Sequence, residues 1–324
     1  MKSIKYLILG FAAIAFAACN SSSFEQVVTY DIPEEAPKLV TYAEFTDADT
    51  TFRPMVGRSV GINSKLPVDS MKDAKMSLYK NNNLIMSFNS YYDKKKNSYK
   101  NVYFYKNSTT VNNPFSDDAD YKLKVEYAPY KTIESTIRPP QKVDILGIEY
   151  NPLGFTDVDG DKSDEALVEF LDPPGENFYK ISVSMKVKDD AGVVSYKTPF
   201  IKTTTSNSIF GGGDTDLSFS DENFNGGKHK FRMGLEIRGG GKGGGPGGPG
   251  GPGGGNNNTF TKQEVVVRLI SISKEAYYFE RSVSQYKASQ DNLFGAEPTQ
   301  VNTNFVDGYG YFRIGRVAEK ILKF

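Results

Sequence analysis

"YKISVSMKV", residues 179–187, decides the fold class. Tyr179, Ile181, Val183, Met185 and Val187 fall on one side of an extended chain, with Lys180, Ser182, Ser184 and Lys186 on the other. Such period-two alternation sets one face against a core and the other toward water, as in antiparallel sheets. The pattern recurs at "YKLKVEY" (121–127), "AKMSLY" (74–79) and "FRMGLEIR" (231–238). "VVVRLISI" (265–272) is more continuously apolar and belongs deeper in a sheet. "KNNNL" (80–84) reads as a turn joining two strands. The chain is expected to be all-β.

One stretch breaks the period. "SKEAYYFERSVSQYK" (273–287) puts Ala276, Phe279, Val283 and Tyr286 on a helical stripe, with Ser273 placed to cap its N-terminus. This predicts one short helix against the edge or end of a sheet. A boundary is expected at "IRPPQ" (137–141), because Pro139 and Pro140 remove two backbone donors and no central strand runs through them. Residues 38–138 then have the size of an immunoglobulin-like β-sandwich, and residues 141–324 make a second β-rich domain. Within the second lies "GGGKGGGPGGPGGPGGG" (239–255), followed by Asn256–Asn258. It holds no apolar side chain whose burial would offset ordering, so 239–258 reads as a disordered, overgrown hairpin loop. No nucleotide-fold context surrounds it that would make it a phosphate cradle.

The N-terminus speaks to location. Lys2 and Lys5 precede an apolar run from Tyr6 to Ala18, too short to span a bilayer and of the form of a secretory signal, residues 1–18. Phe16-Ala17-Ala18-Cys19 resembles a bacterial lipobox, with Phe16 where Leu is usual. Cys19 is the only cysteine in 324 residues, so it has no disulfide partner and reads as the lipid attachment point. Residues 19–37 form a tether. Within it, Ser21-Ser22-Ser23-Phe24-Glu25 is similar to the Ser-Asp-Asp-Phe-Glu export signal of flavobacterial surface lipoproteins, departing at the two acidic positions. The expected location is the outer membrane, lipid-anchored and displayed on the surface.

Composition narrows the chemistry. The full chain carries 39 basic and 39 acidic residues, and loss of Lys2 and Lys5 with the signal leaves a small net negative charge. Nothing there favours nucleic acid. His229 is the only histidine, held between Lys228 and Lys230. Multi-histidine zinc and iron sites are thereby excluded, and no thiolate remains once Cys19 is acylated. No enzymatic activity is expected.

Two clusters invite a functional reading. In "DVDGDKSDE" (157–165), Asp157, Asp159 and Asp161 alternate as the first ligands of an EF-hand do. Lys162 then stands where glycine is required, and Glu169 falls one place beyond the bidentate glutamate. A different Ca²⁺ loop using Asp157, Asp159, Asp161 and Asp164 remains open beside the favoured reading, a solvated acidic turn. "YYDKKKNSYKNVYFYKN" (91–107) interleaves tyrosines with lysines. As a ligand rim it would use Tyr99, Tyr103 and Tyr105; as a solvent-facing hairpin its rings cover the core edge, and strand pattern alone explains most of it.

Several stretches together resemble a lipoprotein family of the Bacteroidetes catalogued as domain of unknown function 4249. They are "PKLVTYAEFT" (37–46), "MKDAKMSLYKNNNLI" (71–85), "TIESTIRPPQKVDI" (132–145) and "FLDPPGENFYKISV" (170–183). "SFSDENFNGG" (218–227), "LISISKEAYYFERSVSQY" (269–286) and "PTQVNTNFVDGYGYF" (298–312) complete the series. The Gly/Pro-rich insertion departs from the pattern, as does the tyrosine between the glycines of "GYGYF". The resemblance implies an immunoglobulin-like N-terminal portion and genes beside TonB-dependent outer-membrane receptors, and it implies no catalytic residues. On that basis the chain is expected to be a non-enzymatic accessory of a TonB-dependent transporter, binding or gating a nutrient. A surface adhesin or cell-envelope structural lipoprotein is the alternative.

Overall fold

The computed structural model describes residues 36–60, 71, 73–91, 103–107, 114–204, 208–210, 215–237, 260–290 and 300–324. Among these the chain is all-β with a single α-helix, as its alternating segments require. The first strands are β1 (Leu39–Thr46), β2 (Met55–Arg58), β3 (Lys75–Lys80), β4 (Asn83–Tyr91), β5 (Tyr103–Asn107), β6 (Tyr121–Glu126) and β7 (Ile133–Ile137). After Pro139–Pro140, which carries no strand, come β8 (Ile145–Thr156), β9 (Lys162–Asp172), β10 (Phe178–Asp189), β11 (Val194–Lys197) and β12 (Phe200–Lys202). They are followed by β13 (Ser208–Phe210), β14 (Asp216–Ser220), β15 (Gly227–Glu236), β16 (Phe260–Ile272), helix α1 (Lys274–Gln290) and β17 (Tyr309–Lys323).

The stretch that decided the fold class lies on β10, and all five of its apolar residues are buried. The Asn81–Asn82 turn joins β3 to β4 as a two-residue hairpin, with φ of 48° and 65°. Positive φ at both positions is the turn that matches strand twist, and asparagine tolerates it.

The strands make two sheets. The larger runs β13-β14-β10-β16-β17-β1-β2-β5-β4-β3-β6-β7, with β11 paired to β10; the smaller runs β12-β15-β9-β8. The smaller sheet faces the β14-β10-β16 part of the larger one. Val168, Phe170, Phe231 and Met233 meet Ile181, Val183, Phe219 and Leu269 in one core between them. The β1–β7 part closes differently. Its edge strand β7 returns to the segment just before β17, where Val306 N donates to Glu134 O at 2.9 Å. The sheet therefore rolls around its own core of Phe45, Phe52, Phe88, Phe115, Leu123 and Phe312.

β17 joins these two cores. Its residues 309–315 pair in parallel with β1, and residues 316–323 pair antiparallel with β16. Phe312 and Ile314 enter the rolled core, whereas Ala318 enters the sandwich core. Two glycines permit the handover. A Cβ at Gly310 would lie 1.9 Å from Thr41 O, and its φ of +109° is one that side-chain-bearing residues rarely adopt. A Cβ at Gly308 would lie 2.5 Å from Ile133 Cγ2, where the roll closes. Residues 37–324 make one compact unit through this strand.

Helix α1 lies where expected, capped by Ser273, whose Oγ accepts from Ala276 N at 3.3 Å. Its buried face differs from the predicted stripe. Ala276, Tyr277 and Ser282 are buried, while Tyr286 is exposed. The cause is the surface beneath, where β10 and β17 present Lys180 and Arg313 and so call for Glu280 rather than an apolar residue.

Candidate functional site

The sequence-predicted positions fall in different parts of the molecule. Cys19, its tether through residue 35, Tyr99 and the Gly/Pro-rich loop lie outside the described residues, as do the side chains of Tyr103 and Tyr105 on β5. The acidic loop is a turn between β8 and β9. Asp157 Oδ1 accepts the backbone N–H groups of Asp159 and Asp161 at 3.1 and 2.8 Å, and Gly160 turns the chain at φ +87°. Asp157 Oδ2 meets Lys202 at 2.8 Å, a contact that holds its carboxyl below the ordinary range. Asp164 faces elsewhere, binding Lys262, the Tyr150 hydroxyl and Leu153 N. No three acids or histidines gather into a metal-holding group among the described residues.

His229 stacks flat on Phe224, ring centroids 3.5 Å apart and planes 6° from parallel, with Phe170 edge-on. Burial lowers its pKa against the opposing pull of Asp172, which keeps the ring neutral at pH 7. It serves as an aromatic wedge.

A charged cluster fastens α1 to the sheet. Arg313 is fully buried on β17, with Nη1 2.9 Å from Glu280 Oε1 on the helix. Its Nη2 contacts Glu44 on β1 as an ion pair lacking hydrogen-bond geometry. Lys180 on β10 reaches Asp216 at 2.7 Å and Glu280 at 3.2 Å, and Ser218 donates to the same glutamate. Burial pulls Arg313 down to about 10, leaving it charged at pH 7. Burial also works against the Lys180 ammonium, but Glu280 and Asp216 outweigh it and raise its pKa. Phe279 stacks on Tyr311 at 4.4 Å beside these charges. One carboxylate thus ties the helix to both strands.

The opposite flank of α1 lines a polar cleft of about 310 Å³. Two loops form its other wall: 173–177 between β9 and β10, and 221–226 between β14 and β15. Buried carboxylates lock these loops. Asp172 accepts from the Tyr179 hydroxyl and from Gly226 N at 2.7 Å; Asp221 accepts from Asn177 Nδ2 at 3.1 Å. Burial raises the pKa of Asp221, with Asn177 acting against that rise. Phe178 and Tyr277, centroids 4.9 Å apart, form the floor, and burial pushes the Tyr277 phenol up. Glu176, Asp221 and Glu222 stand on the loop side; Tyr278 and Arg281 stand on the helix side. A second recess of about 140 Å³ adjoins it across Glu176 and Phe178, reaching Pro140 and the buried Ser271. The sequence reading missed this cleft. The one signal available was that "FLDPPGENFYKISV", "SFSDENFNGG" and "LISISKEAYYFERSVSQY", three stretches carrying the family resemblance, supply its lining.

The comparisons agree with that resemblance. A family model described as Domain of unknown function (DUF4249) matches residues 25–321. No curated protein matches the chain.

Proposed function

We propose, since the chain belongs to the DUF4249 family, that it is a lipid-anchored outer-membrane accessory of a TonB-dependent transporter, holding a nutrient without catalysis. The observation that carries this reading is Cys19, a lone cysteine directly behind a secretory signal and ahead of the matched region that starts at residue 25. Among the described residues no helix is long and apolar enough to cross a membrane. In this reading a lipid on Cys19 supplies the attachment, and anchoring in the receptor's own membrane raises the effective concentration of each for the other. The ligand site is the cleft beside α1, a concave surface combining aromatic floor and converging polar groups. The resemblance supplies the receptor as neighbour.

Two measurements test the reading. Cys19→Ala should block incorporation of labelled fatty acid and release the protein from the membrane fraction. Extraction of the native protein in mild detergent should bring down a stoichiometric β-barrel receptor. Recovery of a host or matrix protein with no receptor would instead make it an adhesin.

A further inference from the structure

We infer that β11 is a docking edge, taking as an added strand an extended segment of a second outer-membrane protein. That segment is apolar at alternate positions and carries a carboxylate beside Lys188. The partner's membrane setting rests on the accessory reading, whereas the edge itself rests on strand geometry.

β11 pairs with β10 alone, through Met185–Lys197, Lys186–Tyr196, Val187–Ser195 and Lys188–Val194. Asp189 N donates to Val193 O at 3.1 Å, which fixes the alternation of this antiparallel ladder. Ser195 and Lys197 therefore turn their backbone groups toward β10, and Val194 and Tyr196 turn theirs outward. Among the described residues those outward N–H and C=O groups meet no partner. Two other sheet edges are closed or blunted. β7 is met by Val306. β8 loses register around Pro152, and Lys320 donates to its Ile145 and Leu146 carbonyls. β11 has neither device. Val193, Val194 and Tyr196 are 59 %, 48 % and 65 % exposed, so an incoming strand finds apolar side chains beside the free backbone groups.

Charge selects the occupant. Lys186 and Lys188 stand across from Tyr196 and Val194 on the same outward face. Glu264 holds Lys186 at 3.2 Å, whereas Lys188 is exposed and has no ion pair among the described residues. A second copy could pair antiparallel about Ser195, but it would add its own two lysines to the same face. Four-residue edges also bury far less than the roughly 1,200 Å² of a stable interface between two copies. A foreign strand bearing a carboxylate satisfies both the backbone groups and Lys188. The edge also stands clear of the anchor. The row Tyr196–Lys186–Glu264–Lys323 sets it at one end of β17, and β1, which follows the tether, begins beside Tyr309 at the other. Fifteen residues of strand separate the two by roughly 50 Å.

The test is photo-cross-linking of the full lipoprotein in intact cells, with Tyr196→p-benzoyl-phenylalanine as the probe and the same residue at the exposed Leu171 as control. Light should join Tyr196, and not Leu171, to one outer-membrane protein. The joined stretch, mapped by mass spectrometry, should be free of proline, apolar at alternate positions and supplied with an Asp or Glu. Val194→Pro removes an outward N–H that no internal bond uses, so it should cut the yield about tenfold and leave the melting temperature unchanged. Lys188→Glu should cut the yield as well, and Lys188→Arg should keep it. The inference is overturned by no product, by a product with a second copy of this chain, by a joined stretch lacking a carboxylate, or by a yield indifferent to Val194→Pro and Lys188→Glu. The accessory reading fails separately. A joined protein other than a β-barrel receptor would remove that reading and keep the edge. A receptor recovered in detergent but never joined at Tyr196 would keep the reading and remove the edge.

Discussion

The rolled sheet of residues 39–137 and the sandwich of residues 143–272 solve one problem in two ways. The first closes a single sheet on itself and fills the interior with rings. Phe45 alone touches Phe52, Phe88, Phe115 and Phe312, with centroids 5.1 to 5.9 Å apart. The second sets two sheets face to face and laces its outer surface with ion pairs, such as Lys228–Glu169–Lys230–Glu149 and Arg232–Glu165. A rolled sheet consumes its edges, since pairing between β7 and Val306 completes the ring. A sandwich leaves its loops gathered at two open ends, and one of these holds the cleft. The difference teaches where a site can be built: loops 173–177 and 221–226 carry polar groups at an open end of the sandwich, while Phe224 ties the second loop to the core through Phe170 and Phe219.

The largest effect should come from breaking what the two regions share. Gly310→Val places a side chain against the Thr41 carbonyl in a backbone conformation valine avoids, and β17 cannot keep both partners. We expect a loss of about 4 kcal/mol or more, or no folded protein. In the same sense, residues 38–138 expressed alone should stay unfolded, because Phe305, Phe312 and Ile314 of their core arrive from the far end of the chain. A cooperative melt of that fragment would show that the rolled sheet needs no β17.

Next in size are cavities. Phe45→Ala in the rolled core and Phe219→Ala in the sandwich core each delete a fully buried ring and should cost about 3–5 kcal/mol. If β17 couples the regions, each substitution lowers one common transition in calorimetry. Two transitions, with only one displaced by each substitution, would mean that the cores melt separately.

How much of this was legible in sequence divides along physical lines. Local periodicity exposed β3, β6, β10, β15 and β16, and Ser273 marked the start of α1, because alternation and capping are decided by near neighbours. β17 was not legible in that way. Residues 311–318 are buried on both faces and include Arg313 and Arg316, so polar residues stand where a one-sided strand would have apolar ones. Arg316 is satisfied by the carbonyls of Phe115 and Asp117, some two hundred positions away, and no local pattern announces such partners. The cleft is hidden for the same reason, assembled from segments near 176, 222 and 281. The tyrosine cluster at 91–107 is dense in sequence, and the side chains that would make it a rim lie outside the described residues.

Acid should separate the two regions by a smaller margin. In the sandwich, Asp157 is lowered by Lys202, Glu165 by Asn151 and Arg232, and Glu169 by Lys228. Burial would raise Asp164, but Lys262 and Tyr150 outweigh it and lower it too. A carboxyl lowered in the folded state adds stability above its unfolded value, near pH 4, and loses it as pH falls through the folded value. Asp221 in the cleft loops and Asp49 in the rolled region are raised by burial and act in the opposite sense, easing as pH falls. The sandwich has four lowered groups against one raised, whereas the rolled region sets Asp117, lowered by Lys80, against the raised Asp49, so the sandwich should loosen first below about pH 4. Hydrogen exchange at pH 3 should quicken in β9 and β15 before β3 and β6. Equal quickening in all four would erase the distinction. The cationic partners of these carboxylates reach solvent, so screening keeps each contribution small.

The smallest effect should follow from the largest deletion. Removing Gly239–Gly255 leaves five residues, Arg238 and Asn256–Thr259, between Ile237 and Phe260. β15 and β16 lie in different, facing sheets, so the segment bridges two sheets rather than closing the expected hairpin. Facing sheets stand about 10 Å apart, and five extended residues reach roughly 16 Å, so β15 and β16 can still be joined. Closing a shorter loop costs less entropy, and the logarithmic dependence limits the gain to about 1 kcal/mol. The melting temperature should rise by no more than a few degrees. Ligand binding should not change, for a reason the strand directions supply. β15 starts at Gly227 beside the cleft and ends at Glu236, and β16 runs from Phe260 back to Ile272, which lines the adjoining recess. The insertion thus leaves the sandwich at the end away from the cleft, separated from it by the ten residues of β15, or roughly 33 Å. A loss of several kcal/mol on deletion would show that the glycine-rich segment packs against the sandwich, and altered behaviour of the cleft would show that the two ends of the sandwich are coupled.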